Sequence, residues 1–297
     1  MAELPAFITN IEDSRRWRQV QTRSGDVIVS TPPKSGTTWM QEIVHSLLWP
    51  TGDAAGSRRD LARWVDMRMR PIGEVVEHLG AQTHRRSIKT HSPADCVPFD
   101  PDCSYIVVYR DGRDALLSWG NHRTHMRPEA VEFMNTLAAD DGLEPIDLTF
   151  EGDYYRLYDE WLQICSPIRH LGSWWPRRRE PNVLFVHYAD LTADLEGEMH
   201  RIAQFLDLHV AEDHWPDVVG RCTLASMRAS DTGLDRLYVG GASSFFHKGG
   251  GGRWRGVIPD TIIDDYSRHV AEDLPTDAAQ WLEHGSIPLG WRPNDAP

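Results

Sequence analysis

Residues 26–36, DVIVSTPPKSG, constrain the fold more than any other stretch of the chain. Val27, Ile28 and Val29 follow one another with no polar interruption, the pattern of a strand covered on both faces. A loop with two prolines, a lysine and a glycine comes next. In TTWMQEIVHSLLW, which follows, Met40, Ile43, Val44, Leu47 and Leu48 share one helical face. A strand, a tight turn and an amphipathic helix place free helix N–H groups at the loop, where an anion is favoured. Lys34 adds charge, Ser35, Thr37 and Thr38 add hydroxyl donors, and Gly36 permits close backbone approach. The common triphosphate loop carries its lysine after the last glycine. Here Lys34 precedes Gly36, so the loop indicates an anion site of another kind. The plainer alternative is a turn capped by Ser35.

Three further runs resemble the first: RSIKTH (86–91), SYIVVYR (104–110) and NVLFVHY (182–188). Between and after them lie helix-period segments: DALLSWGNHRTHM, YYRLYDEWLQICSPI and LEGEMHRIAQFLDL. Alternating strands and helices predict a three-layer α/β fold, with a central parallel β-sheet flanked by helices. Stretches 50–60, 126–147 and 239–260 read as loops or lids. With no repeat and no linker, residues 1–297 are expected to form one domain.

The net charge of −13 argues against a nucleic-acid partner, which needs a broad basic face. No run reaches the roughly 18–20 apolar residues of a membrane span. The N-terminus lacks the pattern of a secretory signal. Cys96, Cys103, Cys165 and Cys222 form no C-x-x-C pair, so reduced thiols, a cytoplasmic location and no metal are expected. Of the 31 Lys and Arg residues only Lys34, Lys89 and Lys248 are lysines, an arginine bias that points to a GC-rich bacterial coding background. Lysines kept against such a bias draw notice, because ammonium and guanidinium do different work.

Ligands of such folds bind at the carboxyl ends of the strands. Lys34, Lys89, His91, Arg110 and Tyr188 all fall there. Lys89 and His91 share one side of their strand, and a neutral imidazole beside a cation suits a general base. Arg110 and Ser118 are spaced to grip a phosphate, although Arg110 paired with Asp111 or Asp114 is the simpler reading. In FFHKGGGGRWRG, His247, Lys248 and the glycine amides make either an anion nest or an ordinary flexible loop.

In order and spacing, TPPKSGTTW, KTH, YIVVYRDGRDALLSW, VHYADL and FFHKGGGGRWRG resemble the cytosolic-type sulfotransferase family. The resemblance covers roughly residues 25 to 260. It implies transfer of a sulfonate from 3′-phosphoadenosine 5′-phosphosulfate (PAPS), leaving adenosine 3′,5′-bisphosphate (PAP), with no metal. By the same resemblance Lys34, Ser35, Gly36, Thr37 and Thr38 bind the 5′-phosphate, and Trp39 lies near the adenine. His91 matches the catalytic base and Lys89 a lysine that positions the transferring group. Arg110 and Ser118 match the pair on the 3′-phosphate, and Tyr188 a tyrosine near the adenine. CTLASM matches an adenine-pocket segment: Cys222 stands where threonine is usual, Thr223 follows, and Leu224 replaces an aromatic. His247 occupies an arginine position ahead of Lys248 and Gly249 over the 3′-phosphate.

The stretch RWVDMRMRPIGEVVEHLGAQTHRRSIKTH resembles bacterial glycolipid sulfotransferases, which implies a small or lipid-like apolar hydroxyl acceptor. Trp64, Met67, Met69, Trp119, His122, Met126 and Phe133 are the expected apolar wall. Two other readings stay open. An atypical small-molecule kinase needs a magnesium carboxylate at a strand end, for which Asp190 is the candidate. A catalytically inactive nucleotide-binding protein would accommodate Leu224 and His247.

Overall fold

The computed structural model describes residues 4–146, 152–164, 166–229, 234–246 and 249–295. Five strands form one sheet: β1 (Val27–Ser30), β2 (Arg63–Trp64), β3 (Ser87–Thr90), β4 (Ser104–Tyr109) and β5 (Val183–His187). Their order is β2-β3-β1-β4-β5, and every pairing is parallel. The chain leaves β1 for the β2 edge, returns through β3, then crosses to β4 and β5 on the other side. That reversal beside β1 leaves a crevice at the carboxyl end of the central strand.

Successive strand residues point to opposite faces. Val27, Val29, Ile106, Val108, Leu184 and Val186 enter one core, while Ile28, Ile88, Tyr105, Val107, Val183 and Phe185 enter the other. Nearly every residue of β1, β3, β4 and β5 is covered whichever way it points, so these runs lack the alternation of a half-buried sheet. The first core receives Met40, Ile43, Val44 and Leu47 from the helix Thr37–Leu48, and Met199 and Ile202 from the helix Leu195–Phe205. The second receives four fully buried tryptophans, Trp119, Trp161, Trp174 and Trp281, from helices on the opposite face. The result is the expected three-layer α/β arrangement.

Some elements differ from expectation. Strand β2 has two half-buried residues at the sheet edge and no apolar run to announce it. The 126–147 stretch, expected to be a loop, contains the helix Pro128–Ala139. Its proline stands at the first helical turn, where no N–H is needed. Ala130, Val131, Met134 and Ala138 form its buried face. YYRLYDEWLQICSPI is divided between two helices, Tyr154–Ile164 and Pro167–Trp174. Ser166 precedes a proline and has left helical geometry, as that steric restriction favours. Short helices Arg58–Leu61 and Gly241–Phe245 interrupt the other two expected loops. Cys96, Cys103 and Cys222 are buried and free. Among the described residues no helix is long and apolar enough to cross a membrane.

Opposite the crevice, Asp26 and Arg86 precede β1 and β3 and tie the two strands together. Arg86 Nε donates to Asp26 Oδ1 at 2.7 Å, and Nη2 donates to Oδ2. Both side chains are almost wholly buried. Removing the carboxylate strands a guanidinium in the interior. Asp26→Ala is therefore expected to cost about 3–5 kcal/mol in a urea unfolding titration.

Candidate active site

The site grows from the carboxyl end of β1. Beyond the strand, the Thr31 amide donates to the Thr90 carbonyl at 3.2 Å, extending the β1–β3 pairing by one residue. The chain then turns through Lys34 (φ 69°) and Gly36 (φ 103°), both left-handed, into the helix Thr37–Leu48. Gly36 is obligatory: a Cβ there would stand 3.0 Å from Tyr188 Cδ2. The helix start has no side-chain cap bond, so Ser35 does not cap it. The Ser35 hydroxyl is instead buried without a partner, as is Nε of Arg110. Unpaired buried polar atoms in a native fold call for an explanation, and a bound anion supplies one.

His91 lies just past β3, across from Thr31. Its Nδ1 is 2.6 Å from the Thr31 carbonyl. That carbonyl can only accept, so Nδ1 carries the proton and Nε2 keeps its lone pair. Asp66 fixes the backbone here by accepting from the amides of His91 and Ser92, each at 3.1 Å, and from the Thr90 hydroxyl at 2.5 Å. Burial, and then the Lys89 charge, hold the His91 pKa well below the usual imidazole value. The ring is accordingly neutral at pH 7. Its neighbour Trp64 meets it edge to face at 4.7 Å.

Lys89 places its ammonium over Trp64, 3.3 Å from the ring centroid. Burial lowers its pKa to about 7, although Asp66 and Glu12 pull the other way. Lys34 Nζ lies 3.0 Å from His122 Nδ1 and 4.6 Å from the centroid of Phe245. Burial and the Lys34 charge push the His122 pKa far down. A neutral His122 accepts from Lys34 at Nδ1, leaving Nε2–H to the Tyr238 hydroxyl at 3.3 Å.

Arg110 is not in the ion pair that its flanking aspartates suggested. Asp111 binds Arg113 at 2.9 Å, and Asp114 accepts from the amides of Gly252 and Arg253. The Arg110 guanidinium lies 4.5 Å over the Tyr188 ring and donates to the Gly250 carbonyl at 2.8 Å. The glycine run is thus drawn onto the end of β4.

One cavity of about 690 Å³ unites these groups. The β1 loop and its helix contribute Lys34, Gly36, Thr37, Thr38 and Trp39. The other strand ends contribute Lys89, His91, Arg110 and Tyr188, and Ser118, Thr223, Leu224 and Gly249 complete that side. Ser35, between Lys34 and Gly36 in the loop, is buried and does not line the cavity. Cys222 does not reach the cavity: its thiol is in the core, and burial raises its pKa to about 12. Its carbonyl accepts from Trp39 Nε1 at 2.7 Å and anchors that ring. His247 and Lys248 lie outside the described residues.

Of the expected apolar wall, Trp64, Met67, Met69, Trp119, His122 and Met126 line the cavity. Phe133 does not. It sits on the outer face of its helix, 46% exposed, and Met134 faces inward instead. The sequence reading also missed Glu12 and Tyr238, which line the cavity from segments with no local motif, and Phe245, the first residue of the FFHKGGGGRWRG stretch. Asp190 is buried and accepts from the Ser286 and Ile287 amides at 2.8–3.0 Å, so its carboxylate is engaged by the C-terminal segment. Among the described residues no cluster of three His, Cys, Asp or Glu side chains is arranged to hold a metal.

Residues 24–276 match the family description "Sulfotransferase domain". A glycolipid sulfotransferase of Mycobacterium bovis is 30% identical over 96% of this chain and 96% of its own length. Human Sulfotransferase 1E1 is 25% identical over 86% of this chain and 85% of its own. Among solved structures, retinol dehydratase in complex with retinol and PAP superposes with a TM-score of 0.70 at 19% identity. That match covers 89% of this chain and 87% of the other. Mouse sulfotransferase SULT7A1 complexed with PAP gives 0.68, also at 19% identity, over 90% and 91% of the two chains. The last two establish the shared fold, and the domain match sets the class of reaction: the chain belongs to the sulfotransferase family.

Proposed function

We propose that the protein transfers the sulfonate of PAPS to the hydroxyl of a small or lipid-like apolar acceptor, with His91 as general base. The observation that carries this reading is the meeting of Lys34, Lys89, His91 and Arg110, from the ends of three neighbouring strands, around one cavity. The fit to the donor rests on unpaired groups. Ser35 Oγ and Arg110 Nε are buried donors without partners, and the helix start at Thr37 offers amides without a cap. Lys34 and the Thr37 and Thr38 hydroxyls serve the 5′-phosphate, Arg110 and Ser118 the 3′-phosphate, and Trp39 and Tyr188 the adenine side. The methionines and tryptophans of the opposite wall suit an apolar acceptor, in keeping with the glycolipid sulfotransferase name of the mycobacterial relative.

In the proposed reaction His91 Nε2 takes the proton of the acceptor hydroxyl while that oxygen bonds to sulfur. The sulfur–oxygen bond to the 5′-phosphate breaks in line, and its electron pair stays with the phosphate. Lys34 faces the charge that grows on this oxygen, and Lys89 faces the transferring group. The Thr31 carbonyl holds His91 in the tautomer this role requires.

Four outcomes follow. PAP raises the melting temperature more than ATP does in a thermal-shift titration, and a stronger effect of ATP would overturn the reading. His91→Ala keeps PAP affinity by calorimetry, while radiolabelled sulfonate transfer falls by about 10²- to 10⁴-fold. Lys34→Met lowers the same rate by about 10²- to 10³-fold. In a pH series, His91 stays in its base form below 6.5, because its pKa is depressed. The Lys89 ammonium is present below about 7 and is lost as pH rises through that value. Hence kcat/KM for the donor holds level on the acid side and declines above about pH 7.

A further inference from the structure

One carboxyl group stands in a cavity wall that is otherwise apolar on that side. Glu12 lines the cavity beside Ile11, Trp64, Met67 and Met69, and its side chain is fully buried. Backbone bonds hold it there. The Asp13 amide donates to the Asp66 carbonyl at 2.7 Å, and the Arg68 amide donates to the Ile11 carbonyl at 2.9 Å. Glu12 thus faces Met67 in an antiparallel bridge. Next along the same strip, Asp66 grips the amides of His91 and Ser92. Glu12 is in this way tied to the segment that fixes His91.

The two carboxyl oxygens are treated differently. The Thr9 hydroxyl accepts from the amides of Ile11 at 3.2 Å and Glu12 at 3.0 Å, so its own proton goes to Glu12 Oε2, at 3.3 Å. Oε1 has no hydrogen-bond partner, the Lys89 ammonium included. A buried carboxyl oxygen without a partner is costly, and a bound polar group removes the cost. Asp66 Oδ1 is also unpartnered, but Asp66 does not line the cavity. Burial and then the Asp66 charge raise the Glu12 pKa well above the usual carboxylate value, while Lys89 and the Thr9 bond pull it down. With its proton, Oε1 both donates and accepts. Without it, Oε1 still accepts. A hydroxyl suits either state, whereas an amine would bring a further cation to a wall that already holds Lys89.

We propose that Glu12 is a specificity-determining residue whose Oε1 binds a second hydroxyl of the acceptor while the first is presented to His91. The inference rests on the acceptor reading above and narrows it to polyhydroxylated head groups on an apolar body. Lone alcohols satisfy His91 and leave Oε1 as it is. Polyols satisfy both, and their chain lies along the methionine and tryptophan wall.

The test ranks 1-octanol, 1,2-octanediol and octyl β-D-glucoside, which share one alkyl chain, by calorimetry on the PAP-loaded protein and by kcat/KM for sulfonate transfer. A wall that is apolar throughout ranks octanol first, because every added hydroxyl is buried without a partner. With Glu12 in the proposed role, at least one polyol surpasses octanol by about tenfold. Glu12→Gln, which still donates and accepts, is expected to keep that ranking. Glu12→Leu and Glu12→Met are expected to lose it with PAP affinity unchanged, and either one that folds suffices. Octanol ranked first or level in the unmodified protein would overturn the proposal and leave Oε1 to a resident water. So would a polyol preference that persists in the apolar variants. Loss of octanol and polyol binding together in those variants would also overturn it, by making Glu12 a structural residue. Failure of PAP to bind would instead count against the sulfonate-transfer reading, and the same ranking on the unloaded protein would still decide the role of Glu12.

Discussion

The contact between the Thr31 carbonyl and Nδ1 of His91 holds the centre of this molecule together. It joins two neighbouring strand ends where the parallel ladder has run out, so it continues the sheet by means of a side chain. It also fixes which ring nitrogen is protonated, and so which one faces the cavity with a free electron pair. Asp66 supports the same point by taking the amides of His91 and Ser92. Backbone geometry and acid–base state are thereby set by one set of bonds, and neither can change without the other.

Around that point the protein assembles cations at a cost. Lys89 sits in an environment that favours its neutral form, and two imidazoles are held neutral by burial and by the lysines beside them. Aromatic faces compensate in part: Trp64 under Lys89, Phe245 near Lys34 and Tyr188 under Arg110. This arrangement concentrates positive potential in a small volume of an otherwise acidic chain, where a polyanionic adenosine compound can take it up.

Much of this was legible in the sequence. Strands buried on both faces write themselves as unbroken apolar runs, so β1, β3, β4 and β5 were readable, and their carboxyl ends pointed to Lys34, Lys89, His91, Arg110 and Tyr188. What stayed hidden was too short to show a pattern, opened on a proline, or was assembled only by tertiary folding. Strand β2 is only two residues, Arg63 and Trp64, paired only on one side. The helix Pro128–Ala139 opens on a proline that reads as a break until its position in the first turn is known. Glu12, Tyr238 and Phe245 reach the cavity only through tertiary folding, and Phe133 lost its place to Met134 by a single step around a helix. Cys222 matched a motif position, yet it acts through its carbonyl, which no side-chain pattern reveals.

The near-contact between Gly36 and Tyr188 has a consequence for how this architecture can vary. The same tyrosine ring that limits position 36 lies beneath the Arg110 guanidinium, which in turn holds the glycine-rich segment at Gly250. A methyl group added at the first turn would thus be passed along as displacement, ring to cation to distant loop. Mutational drift in the three segments is mechanically linked, and tolerance at one is set by the slack left in the other two.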